Sequence, residues 1–255
     1  MDILQENLTR FGVLYAIVFS RYLVVSGLAF LIFWKWLRNQ FSNRIIQNKA
    51  PDSQQMWFEF RNSLVTFVMF ALVGIVIFQA KKNGFTTIYK DIPEYGWAYF
   101  VFSIFLSIFI HDTYFYWTHR LMHHKKLFKA FHLTHHRSLN PSPWAAFSFQ
   151  WTEAFVEAGI MLLLVFLIPL HPLAILAFNL YMTVMNAIGH LSIEIFPKGF
   201  TKGIITRYHN TVTHHNMHHR YTNYNYSLYF NYWDMIMGTN HPKYHETFEE
   251  VKNRA

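Results

Sequence analysis

Five stretches of this chain, at 12–34, 63–80, 96–117, 154–170 and 172–188, are almost free of charged side chains. A helix that crosses a bilayer needs about 20 mostly apolar residues, and in hydrocarbon only helices and closed barrels satisfy their own backbone. The chain is therefore expected to be all-α, an integral membrane helical bundle of four to five spans. Charged residues make up 14% of it, against about 25% in average soluble domains; with 27 Phe, this makes lipid part of its solvent. Arg21 interrupts the first run. At a helix centre it would cost about 2.5–3.5 kcal/mol, so either it faces the bundle interior or the first span is shallower. Pro169-Leu170-His171-Pro172 ends one run and starts the next, as a proline does at each position. No polar region followed by a small-residue cleavage site precedes the first run, which reads as a span and not a removable signal peptide.

Lys and Arg set the expected orientation. The loop at 35–61 carries Lys35, Arg38, Arg44, Lys49 and Arg61 against Asp52 and Glu59, and the segment 118–152 carries Arg120, Lys125, Lys126, Lys129 and Arg137 with no acid. The loop at 81–95 is more balanced, Lys81, Lys82 and Lys90 facing Asp91 and Glu94. Positive-inside logic places the first, third and C-terminal connections in the cytoplasm and the N-terminus outside. The formal charge of +8 then reads as loops drawn to anionic lipid, with no nucleic-acid partner.

Sixteen histidines with no cysteine leave only nitrogen and oxygen to hold a metal. His119 and His123 are four apart; His132, His135 and His136 sit at i, i+3, i+4; His215, His218 and His219 repeat that spacing. Such residues share one helix face, so each cluster is expected to aim several imidazoles at one point. Imidazole suits iron, zinc, copper and nickel. One zinc site takes three or four protein ligands, so eight clustered histidines argue for two metals. Under the expected topology nearly all of them fall on the cytoplasmic side.

Over about residues 95–240 the chain resembles the fatty acid hydroxylase/sterol desaturase superfamily of membrane oxygenases. The resemblance rests on the stretch from His111-Asp112-Thr113 through His119-Arg120 to His123, on Phe131-His132 through His135-His136-Arg137-Ser138, and on Thr213 to His219. Asn225-Tyr226, Trp233-Asp234 and Gly238-Thr239 look like the family's ending. The HxxxH, HxxHH, HxxHH pattern is shared in outline with acyl-CoA desaturases and alkane hydroxylases; the eight residues between His123 and His132 are too few for the insertion those enzymes usually carry. The resemblance implies a helical cap carrying the clusters at the cytoplasmic face of a bacterial inner membrane or the ER. It implies a centre of two iron ions (Fe2+, with zinc as the alternative) that activates O2 with electrons from a separate donor, a reductase, ferredoxin or cytochrome b5-like protein, to hydroxylate or desaturate a sterol, sphingoid base or fatty acyl chain. By position, His119, His123, His132, His135, His136, His190, His215, His218 and His219 match the family's ligands, and Asn186 stands where some relatives have a further His. The organisation expected is a transmembrane hairpin at 1–94, a catalytic domain at 95–240 and a tail at 241–255.

Asp112, seven residues before His119 on the same helix face, is the expected acceptor for the outer ring N–H of a metal-bound histidine. Glu153, Glu157, Glu194 and Asp234 are weaker candidates for that role. His111 is offset from His119 by about 80°, His124 and His214 point elsewhere, and His209 is undecided. His171 reads as structural, in the opposite-side turn, and His241 and His245 as surface residues. The aromatic run from Tyr221 to Trp233 reads as an interfacial belt, with a substrate mouth as the rival. The alternative function is a His-rich membrane metal-binding or transport protein. It would need ionisable residues along a path through the bilayer, and the runs offer few apart from Arg21 and Glu157.

Overall fold

The computed structural model describes residues 3–47 and 49–254. Among them there is no strand, and four helices are long and apolar enough to cross a membrane: a multi-pass arrangement. The first, α1 (Ile3–Phe30), runs on as a π-helix over Leu31–Trp36. The others are α2 (Ser53–Lys82), α3 (Gly96–Met122) and α7 (Pro172–Gly189). A fifth apolar helix, α6 (Trp151–Leu167), has 17 residues, or about 25 Å at 1.5 Å per residue, short of the usual span. Between and after them lie α4 (Phe128–Phe131), α5 (Leu133–His136), α8 (Val212–Tyr221), α9 (Tyr232–Ile236) and α10 (Tyr244–Asn253).

The boundaries follow local chemistry. Asp52 caps α2 by accepting from the Gln55 N–H, and Thr211 caps α8 by accepting from the His214 N–H. His171 caps α7, with Pro172 at the first helical position. Leu28, Leu72, Phe105 and Leu180 are exposed, as expected of faces solvated by lipid.

α1 and α2 share their core with the rest of the chain. Tyr22 and Phe67 pack with Ala146, Phe147, Phe149, Ala154 and Ala187. Hydrogen bonds join the same segments: Tyr22 Oη donates to the Trp144 carbonyl at 2.8 Å, and Thr66 Oγ1 to that of Phe147 at 2.8 Å. Arg21 faces the bundle interior between α1, α2, α6 and α7.

Two layers close the ends of the bundle. At one end, Thr87 and Tyr89 donate backbone N–H groups to Val165 and Leu170, and His171 Nε2 lies 2.8 Å from the Lys90 carbonyl. At the other, Trp34 Nε1 donates to the Leu191 carbonyl at 3.0 Å, Gln47 reaches Asn216 at 2.9 Å, and the Glu59 carboxylate accepts from the hydroxyl of Ser142. Every histidine cluster lies at this second end.

Candidate metal centre

The end of α3 contributes His119 in its last turn and His123 as its C-cap. The chain then turns back; His132 follows α4, and α5 carries His135 and His136. His190 is the C-cap of α7, and α8 presents His215, His218 and His219. All nine are buried except His123, which is half-buried.

Their Nε2 atoms converge in two groups. His119, His123, His132, His136 and His218 form one, and His135, His190, His215 and His219 the other, each with donor atoms within 4.8 Å of one another. In the first, His119 Nε2 is 2.9 Å from that of His132 and 3.3 Å from that of His123, while His136 Nε2 is 3.2 Å from that of His123 and 3.0 Å from that of His218. In the second, His190 Nε2 lies 3.2, 3.0 and 3.3 Å from those of His135, His215 and His219. Two nitrogens bound to one ion at about 2.0–2.1 Å stand about 2.9 Å apart at a right angle and about 3.4 Å apart at the tetrahedral angle. The observed separations are those of nitrogens on one coordination sphere.

The division differs from the expectation that each motif serves one point. In both HxxHH motifs the first and last histidines go to one group and the middle one to the other: His132 and His136 against His135, His215 and His219 against His218. Residues four apart stack on one face, whereas neighbours differ by about 100° around the axis. A helix lying between the two groups therefore deals consecutive histidines to opposite sides. The rings of His136 and His219 are 4.9 Å apart, so the groups adjoin.

The outer nitrogens fix the tautomers. His119 Nδ1 donates to the Tyr226 carbonyl, His190 Nδ1 to that of Asn186 and His218 Nδ1 to that of Tyr224, each at 2.7 Å, and His132 Nδ1 donates to Glu153 Oε1 at 2.6 Å. With the proton held on Nδ1, the lone pair of Nε2 points inward. Burial, reinforced by neighbouring imidazoles, holds His132, His135, His136, His215, His218 and His219 well below the ordinary histidine range. His190 is brought down to about 4 by burial. All are neutral near pH 7, as ligation requires.

The carboxylate that meets a clustered histidine is Glu153; Asp112 is put to a different use. Asp112 Oδ1 accepts the backbone N–H of Tyr229 at 2.7 Å and of Phe230 at 3.4 Å. Seven residues on one helix face is about 10.5 Å along the axis, too far for a contact with the His119 ring. Glu153 was a weaker candidate in the sequence because nothing there shows that the start of α6 lies beside His132. Asn186 donates its side-chain amide to the Ala146 carbonyl at 2.6 Å.

Further carboxylates hold the segments that carry the site. Asp234 accepts the N–H groups of Tyr226 and Ser227, both at 2.9 Å, fixing the loop whose carbonyls receive His119 and His218. Burial works to raise the Asp234 carboxyl, but hydrogen bonds from His214, Thr239 and Ser227 hold it well below the usual range. Glu194 Oε2 accepts the Thr213 N–H at 2.8 Å, at the start of α8, where a negative charge meets the helix dipole favourably. Asn216 ties the middle of α8 to Asn140 at 2.8 Å.

The remaining histidines lie outside both groups. His111 Nδ1 is 2.8 Å from the Tyr229 hydroxyl, His209 Nδ1 donates to the Asn210 carbonyl, and His214 pairs with Asn240 and Asp234. His124 and His241 Nδ1 accept backbone N–H groups two residues on, and the ring of His245 packs on Tyr244.

Known proteins carry the same region. The Delta(7)-sterol 5(6)-desaturase of Gibberella zeae is 29% identical over 198 residues, 76% of this chain and 59% of that protein. Lathosterol oxidase of Rattus norvegicus is 30% identical over 171 residues, 66% of this chain and 56% of that protein. A Delta(7)-sterol 5(6)-desaturase of Aspergillus fumigatus is 24% identical over 253 residues, 98% of this chain and 70% of that protein. The chain thus spans less than two thirds of the length of the first two relatives. No solved structure gave a significant match. The sequence profile described as Fatty acid hydroxylase matches residues 104–239, the stretch that holds all nine clustered histidines, and the chain belongs to the fatty acid hydroxylase family.

Proposed function

We propose that this chain is a membrane-bound di-iron oxygenase that hydroxylates or desaturates a lipid, with a sterol as the first candidate substrate. The observation that carries the reading is the convergence of nine imidazole nitrogens into a group of five and an adjoining group of four. The donor set suits a first-row transition metal. A group of five exceeds the four ligands of a closed zinc site, which favours iron over zinc. The names of the relatives support sterol over sphingoid base or fatty acyl chain.

Iron in both groups would supply the reduction of O2 and the abstraction of hydrogen from an unactivated C–H bond. In hydroxylation, substrate, O2, two electrons and two protons become an alcohol and one water; in desaturation they become an alkene and two waters. The electrons come from a separate donor. The protein's own part is to hold the nitrogens. His119, His132, His190 and His218 keep their protons on Nδ1, and burial of the site excludes bulk water. Glu153 Oε1 accepts the His132 Nδ1–H, which raises the basicity of its Nε2. The metal content of anaerobically purified protein is expected to approach two per chain; one or fewer, in folded protein, would count against the reading.

The Lys/Arg asymmetry supports a cytoplasmic position for the histidine layer and an N-terminus outside, in a bacterial inner membrane or the ER. Reporter fusions at residues 88 and 140, which lie at opposite ends of the bundle, are expected to report opposite sides. Both on one side would overturn that orientation.

A further inference from the structure

A cavity of about 300 Å3 lies between α1, α2, α6 and α7. Most of its wall is apolar, including Leu14, Phe70, Ile77 and Met161. Three side chains break that lining: Asn179, whose amide donates to the Ile175 carbonyl at 2.8 Å, and two that lack such a partner. Arg21 lines it with a buried Nε that has no hydrogen-bond partner. Glu157, only 9% exposed, lines it with an equally unpartnered Oε1. No ion pair joins them among the described residues. An unpaired polar group in hydrocarbon is costly, and two of them on one cavity leave room for a group that serves both.

The polar end of the cavity faces the histidine layer. Glu157 is one helical turn beyond Glu153, which bonds His132, and Met182 on the same wall is one turn before Asn186, whose carbonyl receives His190. The far end, with Leu14, Ile77 and Pro172, is apolar and lies toward the opposite boundary of the bundle.

We propose that this cavity binds an uncharged lipid alcohol, its hydroxyl held between Arg21 and Glu157 and its apolar body lying toward Leu14 and Ile77. A hydroxyl has one proton to donate and lone pairs to accept with, so its O–H donates to Glu157 Oε1 while its oxygen accepts from Arg21 Nε–H. A carboxylate headgroup has no proton to donate to Glu157 Oε1, an ammonium has no lone pair for Arg21 Nε–H and meets it as a like charge, and a hydrocarbon would satisfy neither. That the bound alcohol is also the lipid oxidised rests on the oxygenase reading, whereas its binding does not.

The test is photolabelling of the intact chain in lipid nanodiscs, kept anaerobic so that no turnover occurs. The probe is hexadecanol carrying a mid-chain diazirine, compared with its methyl ether and with the corresponding hexadecanoate. The alcohol is expected to label peptides of α1, α2, α6 or α7, and to exceed the ether and the carboxylate by roughly tenfold or more, the scale of a hydrogen bond to a charged group. Arg21→Met and Glu157→Leu are expected to remove the preference for alcohol over ether. Because the ether arm uses the unaltered protein, a variant that fails to insert does not decide the outcome. Equal labelling by alcohol and ether, preference for the carboxylate, or labels confined to other segments would overturn the proposal. Selective labelling in a protein that later yields no oxidised lipid would support the cavity and overturn the oxygenase reading.

Discussion

Replacing His135 or His218 by alanine is expected to bring lipid oxidation close to zero, while His171→Ala retains the activity of the unaltered protein. His135 belongs to the group of four and His218 to the group of five, so the two variants strike different groups. His135→Ala leaves three nitrogens and His218→Ala leaves four. Both are expected to lower the metal content, with the deeper loss in His135→Ala. Each loss should exceed the roughly 10–100-fold effect of removing an outer partner of a ligating histidine. His171 lies at the opposite end, where its ring meets the Leu173 N–H and the Lys90 carbonyl. Loss of such a cap costs about 0.5–2 kcal/mol of stability and touches no clustered nitrogen. Activity and metal content are measured per folded chain, because metal loss can itself destabilise a fold. An inactive His171→Ala beside a fully active, fully metallated His218→Ala would sink the assignment of ligands.

The second large effect is expected at Glu153. Glu153→Gln keeps an oxygen for His132 Nδ1–H but exchanges the carboxyl acceptor for an amide, so metal affinity or activity should fall by roughly 10–100-fold. Glu153→Leu also leaves that buried N–H unpaired and should cost more. Asp112→Asn is the comparison. An asparagine still offers an oxygen to the Tyr229 N–H that Asp112 now receives, so metal retention against a chelator should change far less. If Asp112→Asn released metal faster than Glu153→Gln at equal levels of folded protein, the roles assigned from the geometry would be reversed.

Relations within one helix were legible in the sequence. The apolar runs predicted α7 and α3 within about five residues and α1 and α2 in outline, α2 starting ten residues before its run, because length and hydropathy alone decide whether a helix suits a bilayer. The run at 154–170 became α6, which starts three residues earlier and stops before Pro169, since the chain must leave the helix ahead of a proline. The i, i+4 pairs His119/His123, His132/His136 and His215/His219 were visible in the same way, and each pair stays together in one group. A helix's period fixes those angles before any partner arrives.

What lies across two elements was decided by the tertiary structure alone. Sequence spacing says nothing of which helix stands opposite, so it could not show that His135 joins His190 and α8 while His136 joins the end of α3. For the same reason it ranked Asp112, near in sequence, above Glu153, which is 21 positions from His132 and hydrogen-bonded to it. Arg21 was an anomaly in an apolar run until packing set it on the same cavity as Glu157. Hydropathy and helical period are local properties of the chain. The coordination groups and the cavity arise from contacts between distant segments, which exist only once the bundle has closed.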